Sequence, residues 1–269
     1  MIRSALMNVM TAAAIKAGRG LKRDLGEIEN LQVSVKGPGD FVSAADKKAE
    51  KTIFEELSKA RPGYGFLMEE AGVVEGSDKS HRWIIDPLDG TTNFLHGFPH
   101  YAVSIALSHK GVLSQAVIYD PVRNELFTAS RGRGAYLNDH RMRVGKRSKL
   151  QGCLLGTGFP FREFTNVDAY LAMFRDLMQK TAGVRRAGAA TLDLAYVAAG
   201  RLDGFWEFGL APWDMAAGSL LITEAGGLVG DFQGNSGFLE TGNIVGGNPK
   251  LFSQLIQALA PYLNDKLKK

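Results

Sequence analysis

The stretch WIIDPLDGTTNF, from Trp83 to Phe94, decides how this sequence folds. A short apolar run typical of a buried strand leads into Asp86, and we expect Pro87 to turn the chain so that Asp89 returns towards Asp86. Two carboxylates in a partly desolvated place repel each other, and hard divalent cations would neutralise both. The segment from Gly90 to Thr92 then allows close backbone approach and, at a helix start, aims free N–H groups at an anion. The pattern predicts a metal-assisted phosphate site, and an Asx turn with an N-cap is the alternative.

Acidic residues also lie at the ends of two other predicted elements. A short strand from Tyr64 to Met68 runs into Glu69 and Glu70, where one acid could bind a metal and the other orient a water. Two solvated loop acids are the alternative. Asp214 falls in the first turn of a helix that begins at Pro212, a position that also suits a plain helix-dipole aspartate.

The rest of the chain alternates between helical and strand-like spacing of apolar residues. Helices are predicted over Ser4 to Asp24, Ala44 to Lys59, Val167 to Gln179, Thr191 to Ala199, Pro212 to Ala225 and Pro249 to Leu263. Further strands are predicted over Trp83 to Asp86, Ala102 to Ser108, Leu113 to Tyr119, Glu125 to Ala129, Ala135 to Leu137, Gly152 to Gly158, Gly204 to Phe208 and about Leu228. The four strands between Ala102 and Leu137 are expected to form an antiparallel sheet.

Composition is that of a globular protein. Of 269 residues 45% are hydrophobic, and 32 lysines and arginines against 28 aspartates and glutamates give a net charge of +4. We expect one domain of two tightly joined lobes, about 1–148 and 149–269. The single Cys153 and the absence of a signal-like segment or long apolar run favour the cytoplasm and exclude a membrane protein. The motifs of serine hydrolases, P-loop enzymes and dinucleotide-binding proteins are absent.

Seven separated motifs carry a resemblance that spans nearly the whole chain. They are KGPGDFVSAAD (36–46), EE (69–70), DPLDGTTNFLHGF (86–98), DPVRNE (120–125), GTGFPF (156–161), RRAGAATLDLAYVAAG (185–200) and PWDMAAGSLLITEAGG (212–227). In this order they are similar to the inositol monophosphatase family, in particular to its bacterial SuhB-type members. The resemblance implies an α+β fold layered as an αβαβα sandwich of the sugar-phosphatase type, a homodimer, and inhibition by lithium.

The resemblance also implies a role for particular residues of this sequence. Two or three Mg²⁺ ions would be held by Glu69, Asp86, the carbonyl of Leu88, Asp89 and Asp214. The attacking water would be activated by Glu70 and Thr91, with Asp46 supporting Thr91 or a further ion. The phosphate would be held by the N–H groups of Gly90, Thr91 and Thr92. The alcohol half of the substrate would face Gly188, Ala189, Ala190, Glu207 and Arg185.

The reaction expected from these roles is hydrolysis of a small phosphate monoester by direct attack of a metal-activated water. The resemblance favours inositol 1-phosphate. Fructose 1,6-bisphosphate, histidinol phosphate and 3′-phosphoadenosine 5′-phosphate remain alternatives, because Ala189 replaces a Thr or Ser of many relatives.

A second role comes from another class of function. Seven basic residues against one acid, Asp139, lie between Arg131 and Lys149, and such a strip can contact nucleic acid. A solvated loop edge is the plainer interpretation, since Tyr136 is the only aromatic residue there. SuhB-type relatives associate with transcription antitermination factors, so the resemblance implies these factors or RNA polymerase as partners.

Overall fold

The computed structural model describes residues 4–26, 33–37, 40–159, 164–265 and 267. The predicted turn at Pro38-Gly39 and the end of the GTGFPF motif, from Pro160, lie outside the described residues. The helices are α1 (Ala5–Asp24), α2 (Ala44–Ala60), α3 (Thr91–Leu95), α4 (Val167–Lys180), α5 (Ala190–Ala198), α6 (Pro212–Glu224), α7 (Phe238–Thr241) and α8 (Pro249–Leu259). The strands are β1 (Val33–Gly37), β2 (Asp40–Ser43), β3 (Tyr64–Met68), β4 (Gly72–Val74), β5 (Asp78–Asp89), β6 (Ala102–His109), β7 (Val112–Asp120), β8 (Glu125–Ser130), β9 (Gly134–Leu137), β10 (His140–Arg141), β11 (Leu154–Thr157), β12 (Gly183–Arg185), β13 (Gly204–Glu207), β14 (Leu228–Gly230) and β15 (Ile244–Gly247).

The strands form two large sheets and one hairpin. The first sheet has the order β10-β9-β8-β7-β6-β5-β3-β4. Strands β6 to β9 run antiparallel as the sequence predicts, and β5 and β10 extend the antiparallel pairing at either side. Its β3 pairs with β5 in parallel, so both strands end at the same edge. The second sheet has the order β12-β11-β13-β15-β14, and β1 and β2 pair as a separate hairpin.

Alternation along the strands divides the apolar side chains among helices on both faces of each sheet. Trp83 and Ile85 of β5 pack with α1 and α2, whereas Ile84 between them packs with α5 and α6. In the second sheet Phe205 joins the α5 and α6 side, and Trp206 packs with α4 and α8. The layers therefore run helices, sheet, helices, sheet, helices, and the αβαβα expectation is confirmed.

The end of β5 differs from the sequence prediction. Pro87 was expected to turn the chain after Asp86, but pairing with β6 continues to Asp89, opposite Ala102, with an irregularity in register between the two aspartates. Proline supplies no N–H to the ladder, and the N–H of Leu88 donates to Asp86 Oδ1 at 3.0 Å instead of crossing to β6. A bulge rather than a turn therefore brings the two aspartates to one place.

Other boundaries also depart from the sequence prediction. The C-terminal helix ends at Leu259 and continues as a 3₁₀ turn over Ala260–Tyr262, where Pro261 cannot continue the α-helical hydrogen bonding. Strand β11 spans Leu154–Thr157 and is shorter than expected. The elements β1, β2, β4, β10, β12, β15 and α7 were not predicted. None of the helices in the described ranges is long and apolar enough to cross a membrane.

Candidate active site

The ends of β3 and β5 place Glu69 beside Asp86. The parallel pairing sets Met68 against Ile85, and the N–H of Glu69 donates to Ile85 O at 3.2 Å in the turn that follows β3. Asp86 is 1% exposed, and the Glu69 carboxylate lies close enough to hydrogen-bond it. The sharp turn after Met68 thus turns one of the paired glutamates towards Asp86, as strand alternation alone could not.

Asp89 connects the first sheet to the start of α5. Its Oδ2 accepts hydrogen bonds from the Thr191 N–H at 2.8 Å and from Thr191 Oγ1 at 2.5 Å. Burial and the charge of Asp214 raise the pKa of Asp89 to about 7, against the lowering effect of the Thr191 hydrogen bonds. Thr191 is fully buried. It was not predicted as a site residue, because nothing in its local sequence indicates an acid one hundred residues away.

Asp214 comes from the first turn of α6. Its Oδ2 accepts the N–H of Ala211 at 2.7 Å, and Pro212 at the first helical position needs no such partner. Asp214 is 8% exposed, and its charge raises the pKa of Asp86, of Asp89 and of Glu207. Three distant stretches of chain therefore bring carboxylates to one point.

The effect of these acids on one another's pKa indicates whether the site suits a divalent cation. Burial raises the pKa of Asp86 well above its usual value, and the charges of Glu69, Asp89 and Asp214, in decreasing order, raise it further. In the described part of the chain no three Asp, Glu, His or Cys side chains are already grouped as a metal centre. In each of Asp86, Asp89 and Asp214, one carboxylate oxygen accepts a hydrogen bond from a backbone N–H group. Desolvated, mutually repelling carboxylates with a hard oxygen donor set fit Mg²⁺ chemically.

Gly90 makes the tight exit from β5 possible. Its φ of 90° lies in the left-handed region, and a Cβ there would come within 2.9 Å of His100 O. Helix α3 begins at the next residue, so the N–H groups of Thr91 and Thr92 have no acceptor within the helix. The turn therefore presents backbone donors beside the carboxylates.

Thr91 and Asp46 meet on the other side of this turn. Thr91 Oγ1 lies 3.0 Å from Asp46 Oδ1 and 3.0 Å from Leu88 O. Asp46 is fully buried, and its Oδ2 closes a capping box at the start of α2 by accepting from the N–H and Oγ of Ser43. Burial raises the pKa of Asp46, and the hydrogen bonds from Ser43 and Thr91 oppose that effect.

Glu50 is a site-supporting residue that the sequence analysis missed. It lies one helical turn after Asp46 on α2 and is 5% exposed. Its Oε2 accepts the N–H of Glu70 at 2.9 Å and its Oε1 accepts the N–H of Ala71 at 3.0 Å. The signal available in the sequence was a pair of acids at i and i+4, which places both on one face of the helix.

The second half of the chain reaches the site through the segment before α5. Asn93 Nδ2 donates to His100 O at 2.8 Å and to Ala187 O at 2.9 Å, which fixes Gly188 against α3. The side chain of Ala189 is buried and would lie 3.3 Å from a Cβ on Gly90. Asn93 was part of a quoted motif but was not selected as a site residue, because its partners are backbone carbonyls distant in sequence.

Glu207 and Asp193 form a second pair of buried acids. Glu207 ends β13, and Asp193 lies in the first turn of α5. Burial raises the pKa of both well above their usual values, and the charge of Arg186 opposes this. Arg186 also lies over the ring of Phe159, 4.9 Å from its centroid. Arg185 instead donates to Val184 O at 3.2 Å, and it is the charge of Arg186 that acts on both acids.

The structure therefore brings most of the predicted site residues together. These are Asp46, Glu69, Asp86, Leu88, Asp89, Gly90, Thr91, Gly188, Ala189, Glu207 and Asp214. Ala190 begins α5 beside Asp89, and the N–H of Glu70 is fixed by Glu50. Thr92 is exposed, and its carbonyl accepts a hydrogen bond from His96. The Arg185 side chain donates to the backbone carbonyl of Val184 and to none of the predicted site residues.

Comparison with known proteins gives the arrangement a context. The model of the inositol monophosphatase family matches residues 3–264. The chain is 59% identical to the inositol-1-monophosphatase of Mesorhizobium japonicum over 259 residues, 96% of this chain and 97% of that one, and 55% identical to the Nus factor SuhB of Pseudomonas aeruginosa, covering 98% and 99%. The crystal structure of the extragenic suppressor protein suhB from Bartonella henselae superposes with a TM-score of 0.93 at 56% identity, covering 95% of this chain and 98% of that one. This chain belongs to the inositol monophosphatase family and is a phosphatase.

Proposed function

We propose that this phosphatase is Mg²⁺-dependent and that inositol 1-phosphate is its preferred substrate, which it cleaves to myo-inositol and phosphate. The observation that carries the proposal is the convergence of Glu69, Asp89 and Asp214 on Asp86, beside the backbone N–H groups that follow Gly90. Carboxylates alone would repel a phosphate ester. With cations between them, the same site attracts it.

Five ligands would hold the two or three ions: Glu69, Asp86, the carbonyl of Leu88, Asp89 and Asp214. Bound Mg²⁺ supplies positive charge that acidifies a water and stabilises the departing alkoxide. The N–H groups of Gly90, Thr91 and Thr92 would bind the phosphate oxygens.

The attacking water is oriented by Thr91 and Glu70. Asp46 accepts the Thr91 hydroxyl hydrogen at 3.0 Å, so the hydroxyl oxygen keeps lone pairs for the water. Glu50 fixes the backbone of Glu70, and the Glu70 carboxylate takes the proton as the water attacks phosphorus opposite the leaving oxygen. No covalent intermediate on the protein is needed.

Glu207 and the segment Gly188 to Ala190 would contact the alcohol. The buried Glu207 would accept a hydrogen bond from a ring hydroxyl and so align the ester. Arg186 on Phe159 is an arginine and aromatic pair near Glu207, which is the kind of surface a nucleotide base would use. Fructose 1,6-bisphosphate, histidinol phosphate and 3′-phosphoadenosine 5′-phosphate are therefore tested beside inositol 1-phosphate, and Arg185 is assigned to the substrate rim only as a prediction.

The decisive measurement is phosphate release from this panel of esters, titrated with Mg²⁺ and then with Li⁺, for wild type, Asp89→Asn and the exposed control Asp265→Asn. We expect inositol 1-phosphate to be hydrolysed fastest, lithium to inhibit, and Asp89→Asn to lose activity by at least about a hundredfold, as expected when a group needed in the transition state is removed. Full turnover by Asp89→Asn, or full turnover without Mg²⁺, would contradict the assignment.

A role in transcription antitermination is a second candidate function. Relatives from Pseudomonas aeruginosa and Escherichia coli bear the name Nus factor SuhB, at 55% and 47% identity. The observation that favours it here is the basic strip between Arg131 and Lys149, where Arg133, Arg141 and Lys146 are exposed and Arg147 pairs with Asp203 at 3.2 Å. We propose antitermination factors or RNA polymerase as partners, reached from a cytoplasmic location.

Capture of defined antitermination factors by Asp89→Asn tests this role apart from catalysis. We expect binding to survive that change and to fall when Arg133, Arg141 and Lys146 are replaced by alanine. If the alanine variant captures the factors as well as Asp89→Asn does, the basic strip does not contribute to the interaction. A homodimer is also proposed, and the mass in solution measures it directly.

A further inference from the structure

A groove of about 300 Å³ lies between α1 and α2, and none of the site residues described above lines it. The floor is made of small residues from both helices, Ala17 and Gly20 on α1 and Ala45 and Ala49 on α2. A Cβ on Gly20 would meet no atom within 4 Å, so the space above it is open. Small residues at facing positions let the helices approach closely and leave room above the contact.

The rim of this groove is strongly basic. Lys16, Arg19, Arg23 and Lys48 line it, and Asp24 is the one carboxylate among the lining residues that the structure describes. Lys48 Nζ lies 3.0 Å from Asp24 Oδ2 and Arg23 Nε lies 3.2 Å from Asp24 Oδ1, so one carboxylate serves two cations. The positive charge of the rim therefore exceeds the negative charge that the lining supplies.

Arg19 stands out among these cations. Lys16 pairs with Glu56 at 2.5 Å, whereas in the described ranges no Asp or Glu carboxylate lies within ion-pair distance of Arg19. Its planar guanidinium has five donors and suits the oxygens of a phosphate group in a bidentate geometry. An anion entering the groove would give Arg19 a partner without displacing any ion pair between Arg19 and a described residue.

We propose that this groove binds a small oxyanion that carries two or more phosphate-type groups. The multiple cations match a multivalent anion better than a single carboxylate. None of the described lining residues is aromatic, so a nucleobase would find no ring to stack on. The volume is at the small end for ligand pockets, which favours a compact molecule over a nucleic-acid strand.

The position of the groove places such a ligand against a helix that supports the candidate active site. It would contact both α1 and α2, and α2 carries Asp46 and Glu50, whose carboxylates support Thr91 and the turn at Glu70. Because the ligand binds the folded chain, it raises the unfolding temperature, and the rise grows with the logarithm of the ligand concentration once that concentration exceeds Kd.

Inorganic pyrophosphate is the probe, titrated into the full chain by calorimetry at constant ionic strength in buffer freed of divalent ions on a chelating resin. Without such ions the carboxylate cluster repels anions, so the groove is measured apart from the proposed catalytic site. Arg19→Glu reverses the rim charge, and Lys22→Glu makes the same change on α1 outside the groove lining. Circular dichroism verifies that both variants are folded.

We expect pyrophosphate to bind wild type and raise its unfolding temperature, Arg19→Glu to weaken binding by about tenfold or more, and Lys22→Glu by less than about twofold. Orthophosphate should bind more weakly than pyrophosphate. Equal weakening by the two variants, no binding to wild type, or binding of a single-stranded oligonucleotide in place of pyrophosphate would each overturn the proposal. These binding measurements do not depend on phosphate release with Mg²⁺. The proposed groove and the proposed catalytic function can therefore fail independently of each other.

Discussion

Acid should destabilise this protein through His100, whose imidazole is 6% exposed. Burial first, and then the charge of Arg123, lower the pKa of His100 from 6.5 to about 4, and Asp120 only partly opposes them. Nε2 has no hydrogen-bond partner among the described residues, so nothing compensates a proton placed there. Protonation of His100 is therefore much more favourable in the unfolded chain than in the folded one.

The sign and size of the effect follow from linkage. The folded pKa lies below the unfolded one, so the stability that neutral His100 contributes is complete above pH 6.5 and is lost as the pH falls towards 4. The full difference corresponds to about 3 kcal/mol, and roughly 2 kcal/mol of it is gone at pH 5.

Replacement His100→Leu isolates this contribution. The leucine cannot be protonated, and the carbonyl of residue 100 still accepts from Asn93. We would measure urea unfolding of wild type and variant at pH 7.5 and pH 5.0 without divalent ions. The difference in unfolding free energy between the two proteins should move by about 2 kcal/mol in favour of the leucine variant on acidification. A difference that stays constant between the two pH values would refute the reasoning, whatever the absolute stability of the variant.

Three further substitutions probe backbone and support positions. Gly90→Ala forces a Cβ to within 2.9 Å of His100 O at a φ of 90°, so we expect a loss of about 1 to 3 kcal/mol in thermal unfolding together with most phosphate release. Glu50→Gln replaces the charged acceptor of the N–H groups of Glu70 and Ala71, and turnover should fall about tenfold while circular dichroism stays unchanged. Gly20→Ala lies inside α1 where a Cβ meets nothing, and it should stabilise the chain by about 0.5 to 1 kcal/mol in urea unfolding.

Local patterns were sufficient to predict the elements that carry the site. The apolar run into Asp86, the paired glutamates after Met68 and the proline before Asp214 all give a signal within a few residues. The end of β5 is the exception, because its pairing with β6 carries the strand on to Asp89. The layered arrangement came from the resemblance and is confirmed by the packing of helices on both faces of each sheet.

The remaining contacts could not be predicted because they depend on distant partners. Strand β15 has the sequence IVGG, which shows no alternation and reads as a turn. It becomes a strand because β13 and β14 pair on its two sides, with Gly247 of β15 opposite Gly204 of β13, where backbone approach is close. Likewise the partners of Thr191 and Asn93 lie about one hundred residues away, a separation that local spacing does not register.

The carboxylate cluster should respond to pH in the sense opposite to His100. Burial and the charge of Asp214 raise the pKa of Asp89 from 3.8 to about 7 in the ion-free chain. A raised folded pKa means that the contribution of Asp89 to stability is complete below pH 3.8 and is lost as the pH rises through 7. Ionised Asp89 therefore opposes folding at pH 8 unless a cation is bound.

Asp89→Asn tests both sides of that statement. Asparagine can still accept from Thr191 but carries no charge, so the ion-free variant should unfold at a higher urea concentration than wild type at pH 8, and this advantage should shrink as the pH falls to 5. With Mg²⁺ present the order should reverse, because the ion stabilises only the chain that retains the full ligand set. If the variant is less stable than wild type at pH 8 without ions, the acids do not repel one another as the structure implies. A site that destabilises the ion-free chain and is stabilised by its ion explains why the fold keeps four acids so close together.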